Sequence, residues 1–149
     1  MRRRHPDLEP TAWRSAADRP RVLIEHHDTS IGMAVGNLLV AEGYEVSNCA
    51  GPNDRRHHTC PLAKGGDCPC AEEADVVFFG LNIADEDDRE VLKAWRDHHS
   101  HIPVIVELPV SRIPLYKTEL EGCLTLPQPM TRETLLDAVG RALAATKPD

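Results

Sequence analysis

Long apolar runs are missing from this sequence. The longest nearly uncharged stretches, residues 76–83 and 102–106, fall far short of the roughly 20 residues a membrane-spanning helix needs. Nor does an apolar segment follow the basic start Arg2-Arg3-Arg4 to make a secretory signal, so a soluble, cytoplasmic protein with no membrane partner is expected. Basic charge is also scarce. With 17 Lys and Arg against 24 Asp and Glu, the formal charge is −7, and no field exists to attract a phosphate backbone. Nucleic acid is therefore excluded as a direct partner. At 149 residues the chain is too short for a multidomain enzyme and suits one core. Paired Cys-x2-Cys spacing is absent too, although there are five cysteines. In a reducing compartment these point to metal, redox or burial more than to a disulfide framework.

What is present alternates between two periods. Residues 1–20 show mixed charge and no period, and read as a flexible arm with Trp13 as its large apolar residue. From Arg21 a domain extends to about residue 145. Val22-Leu23-Ile24 is a short strand running into Glu25-His26-His27-Asp28, after which Thr29 or Ser30 supplies a helix cap. Ile31, Val35, Leu38 and Leu39 recur at helical spacing, Gly32 and Gly36 suggest close packing, and Gly43 stands where a left-handed cap belongs. Residues 44–47 form a second strand, and 75–79 a third of the doubly buried type. A helix opened by acidic residues 85–88 carries Val91, Leu92 and Trp95 on one face, with His98 and His99 at its end. Residues 102–106 give a fourth strand, 111–120 a short helix with Pro114 in its first turn, and 123–126 a fifth strand. Thr131 caps a last helix with Leu135, Leu136, Val139 and Leu143 inward. Strand and helix alternating in this way predict an α/β doubly wound parallel sheet.

The order and spacing of these pieces, among them Arg21-Val22-Leu23-Ile24, Ala74-Asp75-Val76-Val77, His101-Ile102-Pro103-Val104-Ile105-Val106 and Gln128-Pro129-Met130, resemble the receiver domain of bacterial response regulators. The resemblance implies a flavodoxin-like fold with five strands in the order 2-1-3-4-5, and a cis Gln128-Pro129 bond. It also implies phosphoryl transfer from a partner kinase to an aspartate after the third strand. Two acidic residues after the first strand would hold Mg²⁺, a Ser or Thr after the fourth would contact the phosphoryl group, and a Lys after the fifth would neutralise it. Here each position departs. His26 and His27 replace the acidic pair, Gly80 the aspartate, Leu108 the hydroxyl residue and Gln128 the lysine. The expectation is a degenerate receiver that is not an enzyme and undergoes no Mg²⁺-dependent phosphorylation.

A receiver normally has a second helix between strands two and three. Residues 49–70 instead hold four cysteines (Cys49, Cys60, Cys68, Cys70), three prolines, three glycines, His57 and His58. Pro61 and Pro69 remove donors and Gly65-Gly66 favours a turn, so a Cys/His-rich loop is expected in place of the helix. Three readings stand: a Zn²⁺ or iron–sulfur site, a thiol switch among Cys60, Cys68 and Cys70, or a surface loop with partly buried cysteines. Cys123 reads as core. The functional expectation is regulation through protein partners, with homodimerisation included, across a face containing Ile113, Tyr116 and Leu120, and with metal or redox input through the loop. The alternative is a small thiol-redox or metal-carrier protein built on residues 49–70.

Overall fold

The computed structural model describes residues 13, 19–52, 60–62, 66, 68 and 71–146. Along the chain come β1 (Arg21–Glu25), α1 (Thr29–Ala41), β2 (Glu45–Cys49), β3 (Val76–Phe79), α2 (Glu86–His98) and β4 (Val104–Pro109). A 3-10 segment (Val110–Tyr116), β5 (Leu124–Gln128) and α3 (Arg132–Thr146) follow. The strands pair in parallel in the order β2-β1-β3-β4-β5. This is the five-stranded flavodoxin-like sheet that the sequence pattern and the resemblance led us to expect.

Side-chain alternation along each strand divides the core into two layers. Val22 and Ile24 of β1 join Phe78, Val35, Leu39, Leu135 and Val139 on the α1/α3 side. Leu23 joins Val77, Phe79, Leu92 and Trp95 on the α2 side. All four residues of β3 are buried, because helices or loops cover the sheet on both faces.

Helix α1 begins one residue earlier than read from sequence. Asp28, not Thr29 or Ser30, is the cap. Its backbone is extended and its carboxylate accepts the N–H groups of Ser30 at 3.0 Å and Ile31 at 3.2 Å, satisfying donors that have no partner within the helix. At the other end Gly43 has φ 93°, and the Tyr44 N–H reaches back to the Leu39 carbonyl at 3.1 Å, a closed Schellman turn. A Cβ on Gly36 would stand 3.2 Å from Val46 Cγ1, so the glycine lets α1 lie close on the sheet as expected. Asp85 caps α2, the Thr131 hydroxyl oxygen accepts the Thr134 N–H at the start of α3, and the Gln128-Pro129 bond is cis.

Two expectations about the connections are corrected. The stretch 111–120 is not an α-helix: a 3-10 segment ends at Tyr116 and turns follow. Pro114 offers no N–H and its ring opposes the carbonyl four residues back, and no side chain caps the segment. Leu120 consequently leaves the proposed partner face and is buried in the α2-side core, with Ile113 and Tyr116 packed partly buried against it. Val110 and Leu115 are the large hydrophobic residues of this region that stand exposed.

The segment between β2 and β3 also does more packing than its composition promised. Cys60, Leu62, Cys68 and Ala71 are buried against the α2-side core, filling sheet surface that a helix would otherwise cover. Leu62 is only 3% exposed. Leu62→Ala is expected to cost about 2 to 5 kcal/mol, the amount for a core leucine, whereas a leucine in a solvated loop would cost nearly nothing; urea denaturation of the two proteins separates the cases.

Candidate functional site

The carboxyl ends of the strands gather the side chains singled out from the sequence. The same alternation that sorts the core sorts these residues. Glu25 follows Leu23 to the α2 side, while His26 continues the α1-side row of Val22 and Ile24. On β4, Val106 and Leu108 belong to the α2-side core, so Glu107 between them points to the opposite face. His26, Gly80, Glu107 and Gln128 thus share one edge, outside the sheet's carboxyl ends where α/β proteins place their ligands.

At the centre is a close approach that only glycine permits. Gly80 N–H donates to the Glu25 carbonyl at 2.7 Å, and a Cβ on Gly80 would lie 2.5 Å from His26 Cδ2. The imidazole therefore occupies the space into which a side chain at position 80 would extend. Its orientation is fixed by Asp28, whose N–H donates to His26 Nδ1 at 3.0 Å. A neutral ring that accepts at Nδ1 carries its hydrogen on Nε2, and Nε2 faces Glu107 Oε1 at 3.9 Å, beyond hydrogen-bond length. With Nδ1 accepting and Nε2 protonated, this ring offers no lone pair to a metal or an electrophile.

Glu107 is the unexpected member. It is 9% exposed, and its Oε1 is buried with no hydrogen-bond partner among the described residues. Burial raises its pKa, against a hydrogen bond from the Gln128 side chain that lowers it. His26 is shifted the other way, downward, first by burial and then by neighbouring His27, with Asp28 opposing. Both shifts favour uncharged forms. His27 itself is exposed, as is Gln128, and Leu108 is turned away into the core.

On the opposite face Glu25 is wholly buried. Trp95 Nε1–H donates to Glu25 Oε1 at 2.9 Å. Burial nevertheless dominates: the carboxyl is pushed from 4.5 to about 8, with Asp88 adding to the rise and the Trp95 bond opposing it. Next to it, the Cys49 thiol is pushed well up by burial and by Glu25, with Cys60 and Cys68 also within electrostatic reach. A thiol so held is protonated at neutral pH and is a poor nucleophile. Cys49, Cys60 and Cys68 are thus brought into one neighbourhood, while His57, His58 and Cys70 lie outside the described residues. Among the described residues, no three His, Cys, Asp or Glu side chains stand together as a metal site. Cys123 packs partly buried against the core. His99, at the C-terminal end of α2, is buried with its ring 5.3 Å from Trp95.

Glu107 is the site residue that sequence reading passed over, and for Glu25, which flanks the histidine pair and reads there as a weak cation ligand, it did not foresee burial against Trp95. For Glu107 a signal existed: a lone charge inside an otherwise apolar buried strand costs free energy unless it serves something. For Glu25 there was none, since its Trp95 partner is 70 positions away.

No protein-family model matches the chain, and no curated protein sequence matches it. Solved structures do. The chemotaxis response regulator CheY4 of Vibrio cholerae is 28% identical, with a TM-score of 0.61 over 84% of this chain and 99% of its own. A CheY-like receiver domain protein from Methanospirillum hungatei is 19% identical, with a TM-score of 0.62 over 87% and 97%. The receiver domain of NtrX from Brucella abortus is 17% identical, with a TM-score of 0.64 over 83% and 98%. Among the described residues no helix is long and apolar enough to cross a membrane. Strand order, flanking helices and these likenesses agree: the chain has the fold of the CheY-like receiver domains of response regulators.

Proposed function

We propose that this chain is a receiver-type signalling domain that works through protein contacts and is not phosphorylated after its third strand. The observation that carries this reading is the occupation of the pocket: Gly80 supplies no carboxylate, and the His26 ring fills the space where one would project. The neighbouring positions support it. Neutral His26 and exposed His27 offer no hard oxygen ligands for Mg²⁺, Leu108 is buried away from the edge, and Gln128 supplies an amide that bonds Glu107 where a cation would be needed. A domain of this kind acts by binding rather than catalysis, and its contact surface would include the exposed apolar side chains Val110 and Leu115.

The test is direct. Incubated with radiolabelled acetyl phosphate and Mg²⁺, the protein is expected to take up no label, while a receiver with an intact aspartate is labelled in parallel. Label retained on any residue, Asp85 or His26 included, would overturn the reading.

A further inference from the structure

We propose that His26 and Glu107 form a proton-operated latch on the N-terminus of α1. The proposal concerns the pocket just described but holds whether or not the chain accepts phosphate. In the neutral state the ring's one lone pair, on Nδ1, accepts the Asp28 N–H at 3.0 Å. Asp28 is also the cap whose carboxylate holds the Ser30 and Ile31 N–H groups. One residue therefore ties the imidazole to the start of the helix.

A proton from solvent can add only at Nδ1, because Nε2 already carries hydrogen. The Asp28 N–H then meets an N–H instead of a lone pair, that hydrogen bond is lost, and the cap has to move. The positive charge so created lies on a ring whose Nε2 faces the buried Oε1 of Glu107 at 3.9 Å, and the negative charge of the Glu107 carboxylate compensates it while the proton itself comes from solvent. Ring and carboxyl thus titrate as a coupled pair.

The groups around the ring can be named element by element. Following β1, His27 makes an edge contact at 5.6 Å between ring centroids and opposes the charge. The cap loop contributes Asp28, which favours it, and β4 contributes Glu107. The neighbours from α1 and β3 are the uncharged Gly32 and Gly80; Asn48 of β2 lies beside Gly32, and Gln128 of β5 bonds Glu107, so these add no charge either. The Glu25 side chain lies on the other face, bonded to Trp95. Burial and His27 keep the ring neutral near pH 7, so the latch is closed there and opens on acidification.

The experiment uses the full ¹⁵N-labelled chain in an NMR pH series. At pH 7 the His26 ring should show Nδ1 without hydrogen and Nε2 with it. On acidification the amide signals of Asp28, Ser30 and Ile31 should shift with the same midpoint as the ring. Glu107→Gln, which keeps the shape and removes the ionisable group, should lower that midpoint by about one pH unit. The wild-type series decides the matter alone if the variant does not fold. Amides that stay still while the ring titrates, an Nδ1–H tautomer at pH 7, a midpoint unmoved by Glu107→Gln, or a fold lost before the ring takes its proton would each sink the proposal.

Discussion

Glu25→Gln is expected to stabilise the protein at pH 8 to 9 and to remove most of a stability loss that the wild type suffers as pH rises. The carboxyl titrates near 4.5 when exposed and near 8 in the fold. Between those values the folded state holds a proton that the unfolded chain has released, so stability falls with increasing pH across this window. Below pH 4.5 the group is protonated in both states and has no differential effect. Above about 8 it is ionised in both, and the full desolvation cost remains. The window corresponds to a loss on the order of 5 kcal/mol, a large share of the 5 to 15 kcal/mol typical of a whole domain.

Glutamine keeps an acceptor for the Trp95 N–H, now at 2.9 Å from Glu25 Oε1, and cannot ionise. Urea unfolding of both proteins at pH 5, 7 and 9 measures the effect. Wild type should weaken steadily while the variant changes far less, with a residual slope of the same sign from Glu107, whose pKa is also raised. Parallel slopes in the two proteins would mean that Glu25 is ionised inside the fold and that its environment has been misread.

These two carboxyls also mark how far the sequence could be read. Periodicity was enough for the strands because Val22-Leu23-Ile24 and Val76–Phe79 are runs of a kind that only a sheet covered on both faces makes useful. Order and spacing then carried the topology, and with it the meeting of His26, Gly80 and Gln128 at one edge. Contacts between distant positions were out of reach. Nothing near Glu25 in the chain announces Trp95. Nothing about Gly80 announces a ring lying over it, since a glycine at that point reads equally as a lost side chain or as a needed absence.

The 49–70 segment shows a different limit. Residue type alone leaves Cys60 and Cys68 open as ligands, thiol pair or packing, and in the structure their size and apolar character fill sheet surface together with Leu62 and Ala71. The 3-10 segment failed because Pro114 was placed in a helical first turn that it tolerates, and the residues after it did not continue the helix.

Whether Gly80 is a needed absence can be measured by adding a single methyl group. Gly80→Ala is expected to destabilise the protein by about 1 to 3 kcal/mol, as overpacking does elsewhere. The new Cβ would stand 2.5 Å from His26 Cδ2, and the ring cannot swing aside freely because Asp28 N–H holds its Nδ1. The remaining contacts are milder, 3.2 Å to the Glu25 carbonyl and 3.2 Å to Phe78 Cε1. In a His26→Ala background the severe contact disappears. Alanine's smaller unfolded-state entropy then favours the substitution by about 0.4 to 1 kcal/mol, which offsets those tighter contacts. Gly80→Ala should therefore be close to neutral there, and a double-mutant cycle should return a coupling of at least about 1 kcal/mol. An additive cycle would show that the ring does not own this space. Strong coupling would mean that no side chain, an aspartate included, fits at position 80 until His26 is removed. In that case Gly80→Asp alone should fold poorly and remain unlabelled by acetyl phosphate.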